Sequence, residues 1–356
     1  MAGLHWDIFC RVVDNFGDIG VCWRLAAQLA ARGHAVRLWI DEPSALAWMA
    51  PGGCAGVEVI AGTGAGAHYQ PGEVVVEAFG GTLAPNVVAA IGRANRDGGA
   101  RACWINLEYL SAEPFVARSH ALESPVHGGA LAGVRRWFYF PGFTSDTGGL
   151  LREADLMERR AHFDRAHWLA RQGVSWTGEP VVSLFCYEPP ALGQFLGAMA
   201  RAPALLLVTH GRAAAAVRRA QAAMPGSWNR DGALKIAFIP LLSQVEFDRL
   251  LWCADCNFVR GEDSLVRALW AGAGLVWQAY PQSDDAHHAK LEAFLDWLGA
   301  PASLRRFHRL WNGLEEGLLP PIEWAPWRTA VERARARLLA QDDLVSRLLR
   351  LVAENR

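Results

Sequence analysis

The sequence predicts an α/β protein of two doubly wound domains followed by a C-terminal helix, and three observations lead there. Short apolar runs alternate with helically spaced patterns from end to end, the β-α-β grammar of parallel sheets covered on both faces. That alternation breaks once, over a charged segment at 152–172, and then restarts. The length of 356 residues is what two domains of ordinary size require.

In the first half, residues 6–13 read as a buried strand and Asp14-Asn15-Phe16-Gly17-Asp18 as a polar turn. Cys22, Leu25, Ala26 and Leu29 recur at helical spacing until Gly33 closes the helix. Strands are expected at 36–40, 57–60, 74–78, 102–106 and 136–140, with a helix over 85–96. The second half reads as strands at 181–186, 204–209, 234–239, 257–259 and 275–277. Helices at 191–200, 213–223, 245–252, 265–271 and 286–298 follow them in turn. The expected boundaries are a first domain at 1–150, a helical connector at 151–175 and a second domain at 176–327. A C-terminal helix at 328–356 is expected to pack back toward the first domain.

Composition narrows the function. Hydrophobic residues make up 52% and charged residues 20%, which excludes a disordered chain. The formal net charge of -1 argues against nucleic-acid and membrane-surface partners, whose binding needs accumulated positive charge. Among the basic residues only Lys235 and Lys290 are lysine, an arginine skew that reflects genome composition. No signal peptide and no run of eighteen apolar residues is present, so a soluble cytoplasmic protein is expected. Seven dispersed cysteines read as reduced, mostly buried thiols, and Cys253-x-x-Cys256 has no second pair at zinc-ribbon spacing.

In open α/β sheets, ligands sit outside the carboxyl ends of the strands, so the loops there are the places to search. Gly62-Thr63-Gly64-Ala65-Gly66-Ala67 matches a dinucleotide fingerprint, but turn residues follow it where the motif needs a helix. P-loop and nucleophile-elbow motifs are absent. The 14–18 turn sets two carboxylates four residues apart at the end of the first strand. It fits both a functional loop and ordinary turn chemistry with Asp18 as a helix cap. Arg260-Gly261-Glu262-Asp263-Ser264 holds the corresponding place in the second domain, either as capping residues or as a diphosphate cradle at a helix start. Arg260 would then neutralise phosphate or pair with Asp263. Phe185 and Tyr187 suit stacking on a base or lining a sugar pocket, and Gln244 could read a pyrimidine edge. His287-His288 beside Asp284-Asp285 reads as a helix start rather than a metal site, so no metal is expected.

Several blocks together resemble the bacterial elongation factor P arginine rhamnosyltransferases (EarP). They are WDIFCRVVDNFGDIGVCWRLAAQLA at 6–30, SLFCYE at 183–188, PLLSQVEFDRLLWCADCNFVRGEDS at 240–264, FVRGEDSLVRALWAG at 258–272 and WQAYPQ at 277–282. The resemblance implies a GT-B glycosyltransferase with two Rossmann-like doubly wound domains facing a central cleft. It implies inverting, metal-independent transfer of L-rhamnose from dTDP-β-L-rhamnose to an arginine of elongation factor P, which activates that factor to rescue ribosomes stalled at polyproline. The first domain would receive the protein acceptor and the second the nucleotide sugar, with no further cofactor. Asp18 matches the catalytic aspartate, Asp14 its partner carboxylate, and Glu262 a second required acid. Asn15, Phe16 and Gly17 would line the sugar-nucleotide site. Phe185, Tyr187, Gln244, Asp263, Ser264 and Tyr280 match nucleotide or diphosphate contacts, with Val245, Glu246, Leu265 and Val266 as neighbours. The alanine-rich stretch between Glu188 and Leu234 is shorter than the family's and holds none of these residues.

Overall fold

The amino-terminal apolar run forms β1 (His5–Cys10), whose side chains alternate between two cores. Trp6, Ile8 and Cys10 enter the core shared with α1 (Phe16–Ala30), whereas Phe9 enters the core on the opposite face. The chain continues through β2 (Ala35–Ile40), α2 (Leu46–Met49), β3 (Val57–Ala61), β4 (Val74–Ala78), α3 (Pro85–Arg96), β5 (Cys103–Leu107), α4 (Pro114–Ser119), β6 (Glu123–Pro125) and β7 (Arg135–Tyr139). These strands make one sheet in the order β3-β2-β1-β4-β5-β7-β6, parallel throughout except for the short β6 against β7. The sequence VVVEA in β4 and CWINL in β5 is buried at every position, because helices cover both faces of a parallel sheet. Edge strand β3 instead exposes or half-exposes each residue.

This computed structural model describes residues 3–12, 16–66, 68–96, 102–125, 134–281 and 285–355. Met1–Glu153 and Ala340–Arg356 form one unit, and Ala154–Leu339 the other. The second unit starts with α5 (Leu156–Ala161) and α6 (Arg165–Arg171) and proceeds through β8 (Val181–Leu184), α7 (Leu192–Met199), β9 (Ala204–Val208), α8 (Arg212–Ala223) and β10 (Leu234–Phe238). It continues with α9 (Gln244–Cys253), β11 (Cys256–Arg260), α10 (Asp263–Ala271), β12 (Gly274–Gln278), α11 (Ala286–Leu298), α12 (Ala302–Trp311) and α13 (Trp324–Leu339). Its parallel sheet has the order β10-β9-β8-β11-β12, repeating the β3-β2-β1-β4-β5 order of the first.

The short α2, α4 and β6 were not expected from the sequence, and three larger features also differ from it. The charged connector belongs to the second unit's core: Trp168 and Leu169 of α6 are buried against Val181, Leu205 and Leu250. The tail is two helices rather than one. It breaks after Leu339, and Asp343 caps α14 (Leu344–Glu354) by accepting the Ser346 N–H at 3.1 Å. Helix α13 packs on β12, α10 and α11 of the second unit, and α14 alone packs in the first. Finally, α12 lies where the sequence reading assigned nothing, although Leu304, Phe307, Leu310 and Trp311 recur at helical spacing. Among the described residues no helix is long and apolar enough to cross a membrane.

Candidate active site

Both sheets reverse their strand order beside the first strand, between β1 and β4 and between β8 and β11. Such switch points open a crevice at the carboxyl ends of the strands. The expected site residues at 14–18, 185–187 and 260–266 follow β1, β8 and β11 at those two points.

In the first unit, Asp14 and Asn15 lie outside the described residues. Phe16, Gly17 and Asp18 form the first turn of α1, so Asp18 stands inside the helix rather than at its cap. The Asp18 side chain is 3% exposed. A carboxylate in the first turn is favoured by the positive dipole end of the helix. One turn further on lies Cys22, beside Cys10 at the end of β1. Burial pushes the Cys22 thiol well up, and contact with Cys10 and the charge of Asp18 add to the effect. All seven cysteines are free thiols and all but Cys54 are buried. Phe16 is exposed and meets Trp48 edge-to-face at 5.0 Å.

In the second unit, the turn after β11 is fixed from several sides. Gly261 adopts φ +61°, a left-handed conformation that glycine accepts without strain. The Trp277 indole N–H donates to the Gly261 carbonyl at 2.5 Å, and the Gly261 N–H donates to Gln278 O at 3.3 Å. The Ser264 hydroxyl accepts from the Arg260 N–H at 3.1 Å and donates to the Arg260 carbonyl. Arg260 is thereby held with its guanidinium 4.4 Å from the Phe185 ring centroid and 4.5 Å from that of Tyr187. Tyr187 meets Tyr280 edge-to-face at 5.7 Å, and its N–H donates to the Gln278 side chain at 2.8 Å. Phe185 meets Phe247 at 5.4 Å. Four expected residues, Phe185, Tyr187, Arg260 and Tyr280, thus share one aromatic and cationic cluster.

Glu262 forms an ion pair with Lys290 of α11. The sequence reading missed Lys290; its signal was to be one of two lysines in an arginine-rich chain. Arg212, 5.1 Å from the Tyr187 ring and paired with Glu188 at 3.0 Å, was also missed. Asp263 opens α10 as an acidic first-turn residue. Beneath it, Arg267 and Asp248 form a buried two-point ion pair, at 2.8 and 2.7 Å, that ties α10 to α9.

The other expected residues make contacts within the second unit or lie beside them. Glu246 accepts the Trp168 indole N–H at 2.7 Å and pairs with Arg249, binding α9 to α6. Leu265 and Val266 bury their side chains, and the Val266 N–H donates to the Glu262 carbonyl at 3.1 Å. Gln244 is buried at the start of α9, where Ser243 caps the helix, while neighbouring Val245 is exposed. Among the described residues one trio could hold a metal, Asp285, His287 and His288, with ligand atoms within 4.8 Å of one another. An open hollow of about 710 Å³ lies instead at the amino-terminal ends of β1, β2 and β3, lined by His5, Arg37 and Glu58 among others. It is at the opposite end of β1 from Asp18.

The description "Elongation-Factor P (EF-P) rhamnosyltransferase EarP" belongs to the family model that matches residues 6–353. A protein-arginine rhamnosyltransferase of Pseudomonas aeruginosa is 44% identical, over 98% of this chain and 99% of its own length. A solved EarP structure, described for EarP-mediated arginine glycosylation of translation elongation factor EF-P, is 32% identical with a TM-score of 0.66. The match covers 99% of this chain and 100% of that one. Acinetobacter baumannii MurG matches at a TM-score of 0.50 and 13% identity, over 98% of this chain and 99% of its own, which is a likeness of fold alone. The two parallel-sheet domains are those of the GT-B fold.

Proposed function

The chain belongs to the EarP family of elongation factor P rhamnosyltransferases, and on that premise we propose that it transfers L-rhamnose from dTDP-β-L-rhamnose to an arginine side chain of elongation factor P. The transfer inverts the anomeric centre and uses no metal ion or further cofactor. The observation that carries the reading is the cluster of Phe185 and Tyr187 against Arg260, with Tyr280 against Tyr187, directly before α10. Aromatic faces for a base, a guanidinium for phosphate charge and a helix start form the combination that a nucleoside diphosphate requires. The acceptor belongs with the first unit, and the reaction calls for neither nucleic acid nor membrane in a cytoplasmic setting.

A guanidinium keeps its proton until above about pH 12, and its delocalised nitrogen lone pairs make it a poor nucleophile. In this mechanism the Asp18 carboxylate, with Asp14, orients the acceptor guanidinium and takes a proton from its attacking nitrogen. The C–N bond forms at the anomeric carbon as the bond from that carbon to the diphosphate oxygen breaks, and its electron pair leaves with dTDP. Glu262, held by Lys290, faces the positive charge that develops on the sugar, as carboxylates do in glycoside chemistry. Arg260 and the amino terminus of α10 stabilise the departing diphosphate, which a metal would otherwise do. Ser264 contributes by fixing the Arg260 backbone.

The test is the intact mass of elongation factor P after incubation with this protein and dTDP-rhamnose. One added deoxyhexose with the wild type is the expected result; an unchanged mass with both proteins folded would overturn the reading. Asp18→Asn should keep its circular dichroism spectrum and lose on the order of 10³-fold in turnover, the scale of a lost general base. An Asp18→Asn enzyme of near-normal turnover would remove Asp18 from that role.

A further inference from the structure

A second polar cluster lies on the other face of the first unit's sheet from α1. Glu77 of β4 pairs in register with Asn106 of β5, and Trp104 of β5 with Arg136 of β7. All four share the face of Phe9, Val75 and α3, whereas α1, which carries Asp18, packs on the other face. Glu77 is buried; it accepts the Trp104 indole N–H at 3.1 Å and lies 3.9 Å from the Arg136 guanidinium. Glu108, one residue past β5, accepts from the Asn106 amide at 2.7 Å. The Arg136 guanidinium stands over the rings of Trp104 and Phe138, at 5.3 and 5.0 Å.

Glu77 also accepts the Leu83 backbone N–H, and the Arg136 Nε–H, like the Asn106 oxygen, is buried without a partner among the described residues, but carboxyl groups outnumber cations in the cluster. Two carboxyl groups face one guanidinium, and burial raises both above the usual carboxylate range, with the charge of Glu108 adding to the effect at Glu77. The Asn106 side-chain oxygen has no hydrogen-bond partner among the described residues, although the residue is only 6% exposed. Its amide nitrogen faces Glu108, so turning the amide over would set oxygen against carboxylate. A buried acceptor without a donor is destabilising, and a donor brought by a ligand would relieve it. Two carboxylates and an amide oxygen are complementary to a second donor-rich cation. Position agrees, since Glu77 pairs with Phe9, one residue short of the carboxyl end of β1.

We propose that Glu77, Asn106 and Glu108 form a subsite for an arginine or lysine side chain of the protein acceptor, distinct from the arginine that receives the sugar. The proposal rests on the transfer reading given above and deepens it: Asp18 meets the reacting guanidinium from α1, and this cluster holds a second basic residue from the opposite face of the sheet. The subsite sets acceptor affinity and takes no part in bond formation.

The test is Glu108→Gln, which removes the charge of a half-buried side chain and keeps an oxygen for Asn106. Acceptor binding is read by calorimetry, without donor, alongside kcat and both KM values. The expected result is roughly tenfold weaker acceptor binding and a matching rise in acceptor KM. Donor KM and kcat should stay within twofold, and the thermal midpoint should be unchanged. Alanine replacements of basic residues on elongation factor P supply a second measurement. One of them should weaken binding to the wild type by the same factor and cause no further loss with Glu108→Gln. Equal acceptor binding by Glu108→Gln and wild type, or additive losses for every acceptor replacement, overturns the subsite. Tight binding that follows this pattern without any rhamnosylated product would instead overturn the transfer reading and leave the subsite standing.

Discussion

Ser264 illustrates how a single side chain can fix the turn that carries it. A serine at a helix start reads as a phosphate donor, yet its hydroxyl is engaged on both sides by the Arg260 backbone. That grip fixes the backbone from which the Arg260 guanidinium reaches Phe185 and Tyr187. Ser264→Ala should therefore weaken donor binding about tenfold through a loosened Arg260, a loss of roughly 1.4 kcal/mol. Acceptor KM should hardly change. Calorimetric titration with dTDP checks this, and unchanged affinity would mean that the turn is held by Gly261 and Trp277 alone. Lys290 belongs to the same scale: it gives Glu262 a fixed partner, and nothing in its local sequence announces that role.

At the scale of elements, α12 acts as a brace for the carboxyl end of β12. His308 is fully buried; its Nε2 accepts the Trp277 N–H at 2.9 Å and its Nδ1 lies 2.9 Å from Leu304 O. Asn312 completes the brace, accepting from the Ala279 N–H and donating to Trp277 O, each at 2.9 Å. The bond that Nε2 accepts needs a neutral ring with its proton on Nδ1, and burial lowers the His308 pKa from 6.5 to about 4. An unfolded histidine binds its proton near pH 6.5, so between that value and about 4 the unfolded chain holds more protons than the folded one. The stabilisation is complete above about pH 6.5 and falls on acidification through this window, by at most about 1.4 kcal/mol per pH unit. His120, also lowered to about 4 by burial and by Arg347, acts in the same direction in the first unit. Thermal melts at pH 7 and pH 5 should show a smaller acid shift for His308→Gln than for the wild type. Equal shifts would place the acid sensitivity elsewhere.

For the molecule as a whole, the chain completes its first unit only with its last helix. Leu344, Val345, Leu348, Leu351 and Val352 of α14 are buried in the same core as Ile8, Leu25 and Leu38. Arg32 grips Asp343 at 2.7 Å, and Arg347 donates to the carbonyls of Thr144, Ser145 and Thr147. Burying five aliphatic side chains is worth on the order of 10 kcal/mol, which is comparable to the whole stability of an ordinary domain. Removing residues 340–356 should therefore unfold the first unit and leave the second folded. Calorimetry would show one cooperative transition lost and one kept; two intact transitions would show α14 to be dispensable.

The sequence by itself determined the two doubly wound sheets, because fully buried strands such as VVVEA and ALLLV need uninterrupted apolar runs and the helices between them need 3.6-residue spacing. It also placed Asp18 past β1 and the 260–264 turn at the end of β11, since the order of strands and loops is a one-dimensional property. The direction and partner of each side chain are not. Glu246 turns to Trp168, Ser264 to its own turn, and Glu262 to a lysine 28 residues away. Glu77, Asn106 and Arg136 meet because three strands pair in one register. The break between α13 and α14 was hidden in a continuous helical pattern, although Asp343 at its end is an ordinary cap. Those choices follow from distant neighbours competing for the same hydrogen bonds and charges, a competition that exists only once the chain has folded.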